Sequence, residues 1–273
     1  SSTVALLRAE VMNMDRNVLI TGDDLSLKAC DPSLGSSISF QGCSCSSDGV
    51  TRTKCTMGLH TIMMRDDSAG ARGVLRVSYT RVEKCGQRGI MGKYCLHFHR
   101  LQSCPECLFL GNAVEFGHQR GIAVHGTHFS TTEYNVMHDI RGTNIFLEDG
   151  NELYNQMNYN VAVCPTPMND NVQHGCTIPG TDGGQVDTAT NQAGLWSVAP
   201  LNIVIGNRMA NHFNGMFYDF GGGRGAVSGQ LCTNKQLLGR LDGNTFHGHL
   251  RFGSYILGYT PKQIEQDVAL DGL

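Results

Sequence analysis

Apolar residues along the chain occur in short runs that glycine and asparagine interrupt at brief intervals. Helical spacing of apolar positions is hard to find. Alternation of apolar and polar residues recurs instead, as in "LHFHR" and "IAVHG". Alternation with a period of two residues is typical of strands that bury one face. The pattern therefore predicts an all-β chain built from many short strands.

Several segments share one shape, in which an asparagine follows a short strand and a polar corner leads into a second strand. The asparagines at this position are Asn112, Asn135, Asn155, Asn207 and Asn244. A strand repeat of about 20 to 25 residues predicts a right-handed parallel β-helix, a solenoid in which each coil adds one strand to each of several sheets. We expect these asparagines to form one hydrogen-bonded ladder at a corner, although asparagine is also common in ordinary turns.

The whole chain, residues 1–273, is expected to form a single β-helix domain, because all-β folds of this length often form one domain. Two stretches rich in Gly, Ser, Pro or Cys, near residues 33–56 and 164–199, are predicted to be loop insertions that leave the solenoid. The start lacks the basic and long apolar parts of a signal peptide, so we interpret the chain as a segment of a larger extracellular protein.

Composition excludes some classes of partner. The formal charge is −3 and only 16% of residues are charged, so the chain has no basic footprint for nucleic acid. No apolar run approaches the roughly 18 residues that span a bilayer, and direct membrane insertion of this segment is not expected.

Eleven cysteines, several of them close together, predict an oxidising compartment and disulfide bonds. The close pairs are Cys43 with Cys45, Cys104 with Cys107, and Cys164 with Cys176. The "CPEC" stretch has the spacing of a redox motif, but neither a βαβ pattern nor a second CxxC surrounds it, which favours a disulfide staple. The odd total leaves at least one thiol free or bonded to another chain.

Polar residues on successive predicted coils fall into register. Strand alternation turns His99, His125 and Glu148 outward, and their spacings of 26 and 23 residues correspond to one coil each. We therefore expect them to form one exposed column, flanked by His97, His128 and Asp149. A gap-free overlay of "VEKCGQRGI" on "VEFGHQRGI" would instead place Gly92 and Lys93 beside His125. The remaining histidines are interpreted as surface or turn residues: His60, His118, His138, His174, His212, His247 and His249.

This column suits three chemistries, and a fourth reading is that it merely covers a solvated sheet. Imidazoles beside carboxylates can act as acid and base, which makes the catalytic candidates His97, His99, His125, Glu148 and Asp149. His99, His125 and Glu148 could alternatively hold a divalent metal ion, the one cofactor that the sequence suggests. The column could also bind sugar hydroxyls without reacting.

Longer segments, among them "GQRGIMGKYCLHFHRL" and "GIAVHGTHFSTTEYNVMHDIRGTNIFLEDGNE", carry a family resemblance that runs from about residue 6 to residue 220. They resemble the β-helix region of the family that contains the cell-surface hyaluronidase (transmembrane protein 2), the cell-migration-inducing hyaluronan-binding protein and the fibrocystin-like receptors. The resemblance implies a right-handed parallel β-helix, a secreted or cell-surface location and, in some members, hyaluronan binding or depolymerisation. Activity does not follow from membership, because the fold alone does not carry a function.

Two functions are consistent with these observations. The first is binding, with cleavage by a hydrolase or lyase reaction as an open question, of an acidic polysaccharide such as hyaluronan. Its carboxylates would be neutralised by cations near the column. The substrate-binding candidates are Lys93, Arg100, Arg120, Arg141 and His128. The second is a structural or adhesive role, in which neighbouring extracellular domains contact the ends of the solenoid.

Overall fold

The computed structural model describes most of the central part of the chain. The described residues are 11–22, 39–40, 43–44, 58–66, 68, 70–87, 92–165, 192–220, 223–225 and 229–260. Most of the predicted insertion at 33–56, together with Cys45, His174 and Cys176, lies outside them.

The described residues form short strands and one 3₁₀ turn at Thr233–Lys235. In chain order the strands are β1 (Val18–Thr21), β2 (Ser39–Phe40), β3 (Cys43–Ser44), β4 (Thr61–Met64), β5 (Arg76–Ser78), β6 (Thr80–Glu83), β7 (Leu96–Ser103), β8 (Leu108–Leu110), β9 (Ala113–Gly117), β10 (Ile122–His128), β11 (Thr131–Glu133), β12 (Val136–Ile140), β13 (Ile145–Leu147), β14 (Gln156–Asn158), β15 (Val161–Val163), β16 (Ala193–Ser197), β17 (Ile203–Ile205), β18 (Arg208–Ala210), β19 (Asn214–Asp219), β20 (Gly223–Gly225), β21 (Gly229–Leu231), β22 (Leu241–Asp242), β23 (Thr245–His247) and β24 (Phe252–Leu257).

Three parallel sheets account for all of these strands except two short antiparallel hairpins, β2–β3 and β20–β21. Sheet 1 has the order β1-β6-β9-β12-β15-β18-β23, sheet 2 the order β4-β7-β10-β13-β16-β19-β24, and sheet 3 the order β5-β8-β11-β14-β17-β22. The chain passes from sheet 2 to sheet 3 to sheet 1 and then begins the next coil. This topology confirms the predicted parallel β-helix.

The core lies inside the coils, where one face of every sheet meets the others. On sheet 2 the register pairs Phe98 with Val124 and Val124 with Leu147, and all three are buried. The Phe98 ring stacks on Phe109 of sheet 3 with 3.9 Å between ring centroids. Burial of these alternating apolar residues is the main force that holds one coil on the next.

The predicted asparagine ladder exists, but one member was assigned to the wrong ladder. The side-chain amide of each residue donates to the side-chain oxygen of the next, over the series Asn112, Asn135, Asn160, Asn207 and Asn244. Asn155 lies at another corner, where its amide donates to Asn202. The error arose because "YNQMNYN" offers Asn155 and Asn160 five residues apart, one at each end of the short strand β14.

The second predicted insertion is shorter than expected. Ala193–Ser197 is a strand of sheet 2, so the prediction that the insertion extends to residue 199 was wrong. Asn160 bonds directly to Asn207, which shows that their separation of 47 positions in the chain corresponds to only one coil of the ladder. The stretch from 166 to 191 lies outside the described residues.

Disulfides reinforce the coils. The Cys104–Cys107 bond confirms the predicted staple, a second bond joins Cys85 to Cys95, and Cys164 is also disulfide-bonded. Among the described cysteines, Cys232 has a free and exposed thiol. In the part of the chain that the structure describes, no helix has the length and apolar character needed to cross a membrane.

Candidate functional site

The predicted column of polar residues is present on sheet 2. His125 of β10 is the register partner of His99 of β7, and Ala123 is the partner of His97. Leu147 pairs with Val124, so Glu148, the residue after β13, continues the column beyond His125. The gap-free overlay that would have placed Lys93 beside His125 is therefore excluded.

The exposure of this column was predicted wrongly. Its side chains do leave the solenoid on the outer face, but His97 is only 1% exposed and His125 only 7% exposed. An outer apolar layer formed by Tyr94, Ala123, Phe146, Ala193, Trp196, Val198 and Phe217 lies on the same face of the sheet. Alternation determines which way a side chain points, and it says nothing about what packs over it.

His125 lies between two carboxylates. Its Nε2 is 2.9 Å from Asp149 Oδ2, and its Nδ1 is 3.5 Å from Glu148 Oε2. Burial by itself lowers the pKa of His125, but the hydrogen bond to Asp149 and the charges of the nearby carboxylates outweigh burial and raise that pKa. The site therefore favours a cationic ring at this position.

His97 lies beneath the cluster as a neutral imidazole. Its Nδ1 is 3.2 Å from the carbonyl oxygen of Gly92, which assigns the ring proton to Nδ1. Burial, followed by the charge of His99, lowers the pKa of His97 to about 3. The Nε2 atom is buried and has no hydrogen-bond partner among the described residues.

His99 is half-buried between the other two rings. Its ring centroid lies 5.0 Å from that of His97 and 4.6 Å from that of His125. Burial, then the charges of His125 and Arg100, lower the pKa of His99 to about 4, although Asp149 acts in the opposite direction. Its Nδ1 is buried and, among the described residues, also lacks a hydrogen-bond partner.

The three imidazoles form a possible metal-ligand group. One nitrogen from each of His97, His99 and His125 can be chosen so that all three lie within 4.8 Å of one another. This set has His97 where the predicted set of His99, His125 and Glu148 had Glu148. Alternation on a single strand, two residues apart, brings His97 and His99 to the same face.

Sequence reasoning missed Glu152, which orders the loop behind His125. Its fully buried carboxylate accepts the backbone N–H groups of Gly126, Asp149 and Gly150 at 2.9, 3.0 and 2.8 Å. Burial raises the pKa of Glu152 to about 7, against the lowering effect of these donors. The available signal was a glutamate shortly after the "EDG" turn, and it lay outside the strand pattern.

One predicted substrate-binding cation is not available to a ligand. Arg120 is fully buried, its guanidinium carbon lies 3.4 Å from the centre of the Phe146 ring, and it donates a hydrogen bond to the Tyr94 hydroxyl. This position does not support the prediction that Arg120 binds substrate directly. Its position after "HQ" in a polar corner gave no sign that aromatic residues from neighbouring coils cover it.

The other predicted substrate-binding residues are distributed unevenly. Arg100 is exposed and directly follows His99, whereas Lys93 is half-buried with its Nζ 3.1 Å from His60 Nε2. Arg141 follows β12 of sheet 1 and pairs with Asp139 at 3.6 Å. His128 accepts the backbone N–H of Leu153 on its Nδ1, which gives it a structural role, and burial lowers its pKa.

The interpretation of His212 as a surface or turn residue was right about the turn and wrong about the surface, because His212 lies in the bend between β18 and β19 but is not exposed. The residue is fully buried, it accepts a hydrogen bond from Asn144 on Nε2, and its ring stacks near His249 with 5.8 Å between centroids. Burial lowers the pKa of His212 to about 3. This pair lies one coil apart, as do Asn207 and Asn244, which was the signal that the sequence contained.

Comparisons with known proteins agree with this architecture. Residues 56–254 match a family model described as the CEMIP beta-helix. Fibrocystin-L of Homo sapiens is 28% identical over 277 residues, which cover 94% of this chain and 6% of that protein, and fibrocystin-L of Mus musculus is 29% identical over 274 residues, or 96% of this chain and 6% of that protein. The cell surface hyaluronidase CEMIP2 of Homo sapiens is 27% identical over 235 residues, which cover 74% of this chain and 16% of that protein. The chain thus spans only a small part of the length of these relatives.

Proposed function

The chain belongs to the CEMIP β-helix family, and from that premise we propose that it is an extracellular or cell-surface module that binds an acidic polysaccharide such as hyaluronan on sheet 2. The observation that carries the proposal is the position of His125, a ring held toward its cationic form by two carboxylates beside the neutral His99. Asp149 and Glu148 balance the charge of the buried His125, so the exposed Arg100 would neutralise a uronate, while the half-buried neutral His99 can accept a hydroxyl hydrogen bond.

Further cations extend this surface along sheet 2. Arg100 is exposed beside His99, and Lys93 precedes β7 on the same side of the coil. One relative, CEMIP2, is named a cell surface hyaluronidase, which supports an acidic polysaccharide as the ligand class. Arg100 and Lys93 would neutralise carboxylates along a flexible anionic chain.

The test measures the affinity of immobilised hyaluronan oligosaccharides for the purified chain, with neutral dextran as the reference glycan. We expect saturable binding to hyaluronan, and the substitutions Arg100→Gln and His125→Gln should each weaken it about tenfold, the effect of roughly 1.4 kcal/mol. The matched control is Arg76→Gln, which removes an exposed arginine from sheet 3. Equal affinity for dextran, or an equal loss with Arg76→Gln, would reject the sheet 2 surface as the binding site.

Cleavage is a narrower proposal for the same surface. His125 could supply a proton and His99 could accept one, while Asp149 and Glu148 orient His125. Incubation of hyaluronan with the chain, with calcium or transition-metal ions present, followed by sizing of the products, tests this step. Chains of unchanged length would reject catalysis and leave the binding proposal intact.

A structural or adhesive role is the second candidate, because apolar side chains are exposed on the strands at the two ends of the stack. Val18 and Leu19 of β1 are 57% and 53% exposed, and Leu257 of β24 is 40% exposed. Exposed apolar patches and strand edges are typical of contacts with another domain. Light scattering and non-reducing electrophoresis test this role. Self-association, or a disulfide through Cys232, would favour it, whereas a monomer at all concentrations would count against it.

A further inference from the structure

The histidine cluster has the composition of a transition-metal site. Its imidazoles come from two adjacent strands, β7 and β10, whose register is fixed by hydrogen bonds on both sides. Nitrogens that share a zinc ion at about 2.0 to 2.1 Å lie roughly 3.4 Å apart in tetrahedral geometry. All three nitrogens already lie within 4.8 Å of one another, so a shared ion requires the rings to rotate and bring them to that spacing.

Buried polar atoms without partners converge on the same place. His97 Nε2, His99 Nδ1 and Glu148 Oε2 are all buried and, in the described part of the chain, make no hydrogen bonds. Buried polar atoms are almost always satisfied in native proteins. An unpartnered atom of this kind indicates a missing ligand, and all three of these atoms are electron-pair donors. A metal cation accepts electron pairs from several such atoms at once, so it can satisfy them together.

The groups behind the cluster are those that orient metal-bound imidazoles. His97 is held through Nδ1 by the carbonyl of Gly92, and His125 is held through Nε2 by Asp149. A backbone carbonyl or a carboxylate on the distal ring nitrogen is the usual second partner of a metal-binding histidine, because it fixes the ring orientation and tautomer. With Nε2 bonded to Asp149, His125 presents Nδ1, and Glu148 Oε2 lies 3.5 Å from that atom.

We propose that His97, His99 and His125 bind a transition-metal dication of the zinc class, beside the Glu148 carboxylate, whose Oε2 lies 3.5 Å from His125 Nδ1. Three nitrogen ligands select zinc, cobalt or nickel over calcium and magnesium, which prefer oxygen ligands. Asp149 is a positioning residue that acts through His125. A bound dication would replace the ring proton of His125, since a metal-bound imidazole is neutral, and it would then carry the positive charge at this surface. The metal titration contains no glycan, so its outcome is separate from that of the polysaccharide-binding test.

The test uses the full 273-residue chain after a chelator has removed any bound metal. Co²⁺ binding is measured by visible absorption, and Zn²⁺ binding is measured by calorimetry. We expect one ion per chain, visible bands of a low-symmetry cobalt site, and displacement of Co²⁺ by Zn²⁺. Calcium should neither compete with Co²⁺ nor change the bands. Bands absent at saturating Co²⁺, or full displacement by calcium, would overturn the proposal.

Variants identify the ligands. Asp149→Asn removes a group that acts through His125 and should weaken Zn²⁺ binding by ~10- to 100-fold. His97→Ala and His99→Gln each remove a direct ligand, so each should weaken Zn²⁺ binding by at least ~100-fold. His138→Ala, which removes a half-buried histidine from sheet 1, is the matched control and should leave the affinity unchanged. Circular dichroism identifies the variants that remain folded. Folded His99→Gln protein with the affinity of the unchanged chain would contradict the assignment.

Discussion

His125 lies directly opposite His99 on the neighbouring strand, with 4.6 Å between the two ring centroids, although 26 residues separate them in the chain. The parallel register of β7 and β10 produces this contact, since one coil of the solenoid separates the two residues. The same stacking places Glu148 on the next coil beside His125. The candidate site is therefore a direct product of coil length.

The two arginines near the site should respond differently to the same substitution. Arg120→Lys keeps the charge but loses the planar stacking on Phe146, so we expect the free energy of unfolding to fall by about 2 kcal/mol. Arg100→Lys changes an exposed residue, so its free energy of unfolding should stay within about 0.5 kcal/mol of that of the unchanged chain. Chemical denaturation of both variants measures the difference. Equal stability of the two variants would show that Arg120 is not held as the structure indicates.

The asparagine ladder should contribute strongly to stability at its centre. Asn160 donates to Thr132 and Asn207 and accepts from the backbone and side chain of Asn135. Asn160→Ala leaves buried groups unpaired, and we expect a loss of about 3 kcal/mol in the free energy of unfolding.

The matched control for this substitution is Asn244→Ala, at the half-buried end of the same ladder. Asn244→Ala should lower the free energy of unfolding by about half as much as Asn160→Ala does, because fewer fully buried groups lose a hydrogen-bond partner. Urea denaturation of both variants gives the comparison. A larger loss for Asn244→Ala would contradict the account of the ladder.

Glu152 should make stability fall as pH rises. Its pKa is about 7 in the folded chain against an ordinary value of 4.5. Between pH 4.5 and about pH 7 the folded state keeps a proton that the unfolded state releases. The free energy of unfolding therefore falls by roughly 1.4 kcal/mol per pH unit in this range, and it falls no further because of Glu152 above about pH 7. The measurement is the stability difference between the unchanged chain and Glu152→Gln at about pH 5 and about pH 8. A difference that does not vary with pH would refute the assignment.

His212 should have the opposite effect in acid. Its pKa of about 3 in the folded chain lies below the ordinary value of 6.5, so the unfolded state binds a proton first as pH falls. Above pH 6.5 the titration of His212 does not change the free energy of unfolding. As pH falls from 6.5 toward 3, that free energy decreases by roughly 1.4 kcal/mol per pH unit. His212→Gln should therefore reduce the acid sensitivity of the unfolding midpoint. The same acid sensitivity in both chains would show that His212 is not buried as a neutral ring.

The sequence contained enough to place the column of His99, His125 and Glu148. Strand alternation and coil length are both local properties, and together they determine which residues stack. The Cys104–Cys107 bond was also predictable, because the sequence around its CxxC motif lacks the βαβ pattern of a redox site and the second CxxC of a zinc site. What alternation could not provide was burial, so the exposure of His97 was predicted wrongly and the burial of Arg120 was missed.

Residues outside the strand pattern were the hardest to interpret. Glu152 acts through three backbone N–H groups of a loop, and no apolar periodicity marks that position. Asn155 and Asn160 both follow the rule for corner asparagines, and only the sheet order assigns each to its ladder. His212 is buried by coils that an insertion separates in the chain. Such contacts depend on the lengths of insertions, which the repeat pattern does not provide.

The most direct test of the site is an anomalous difference map at the zinc edge, from crystals of the chain grown with Zn²⁺. We predict one strong peak among His97, His99 and His125, with Asp149 hydrogen-bonded to His125 behind it. Imidazoles on separate walls of the solenoid, or a zinc peak only at other residues, would contradict the account.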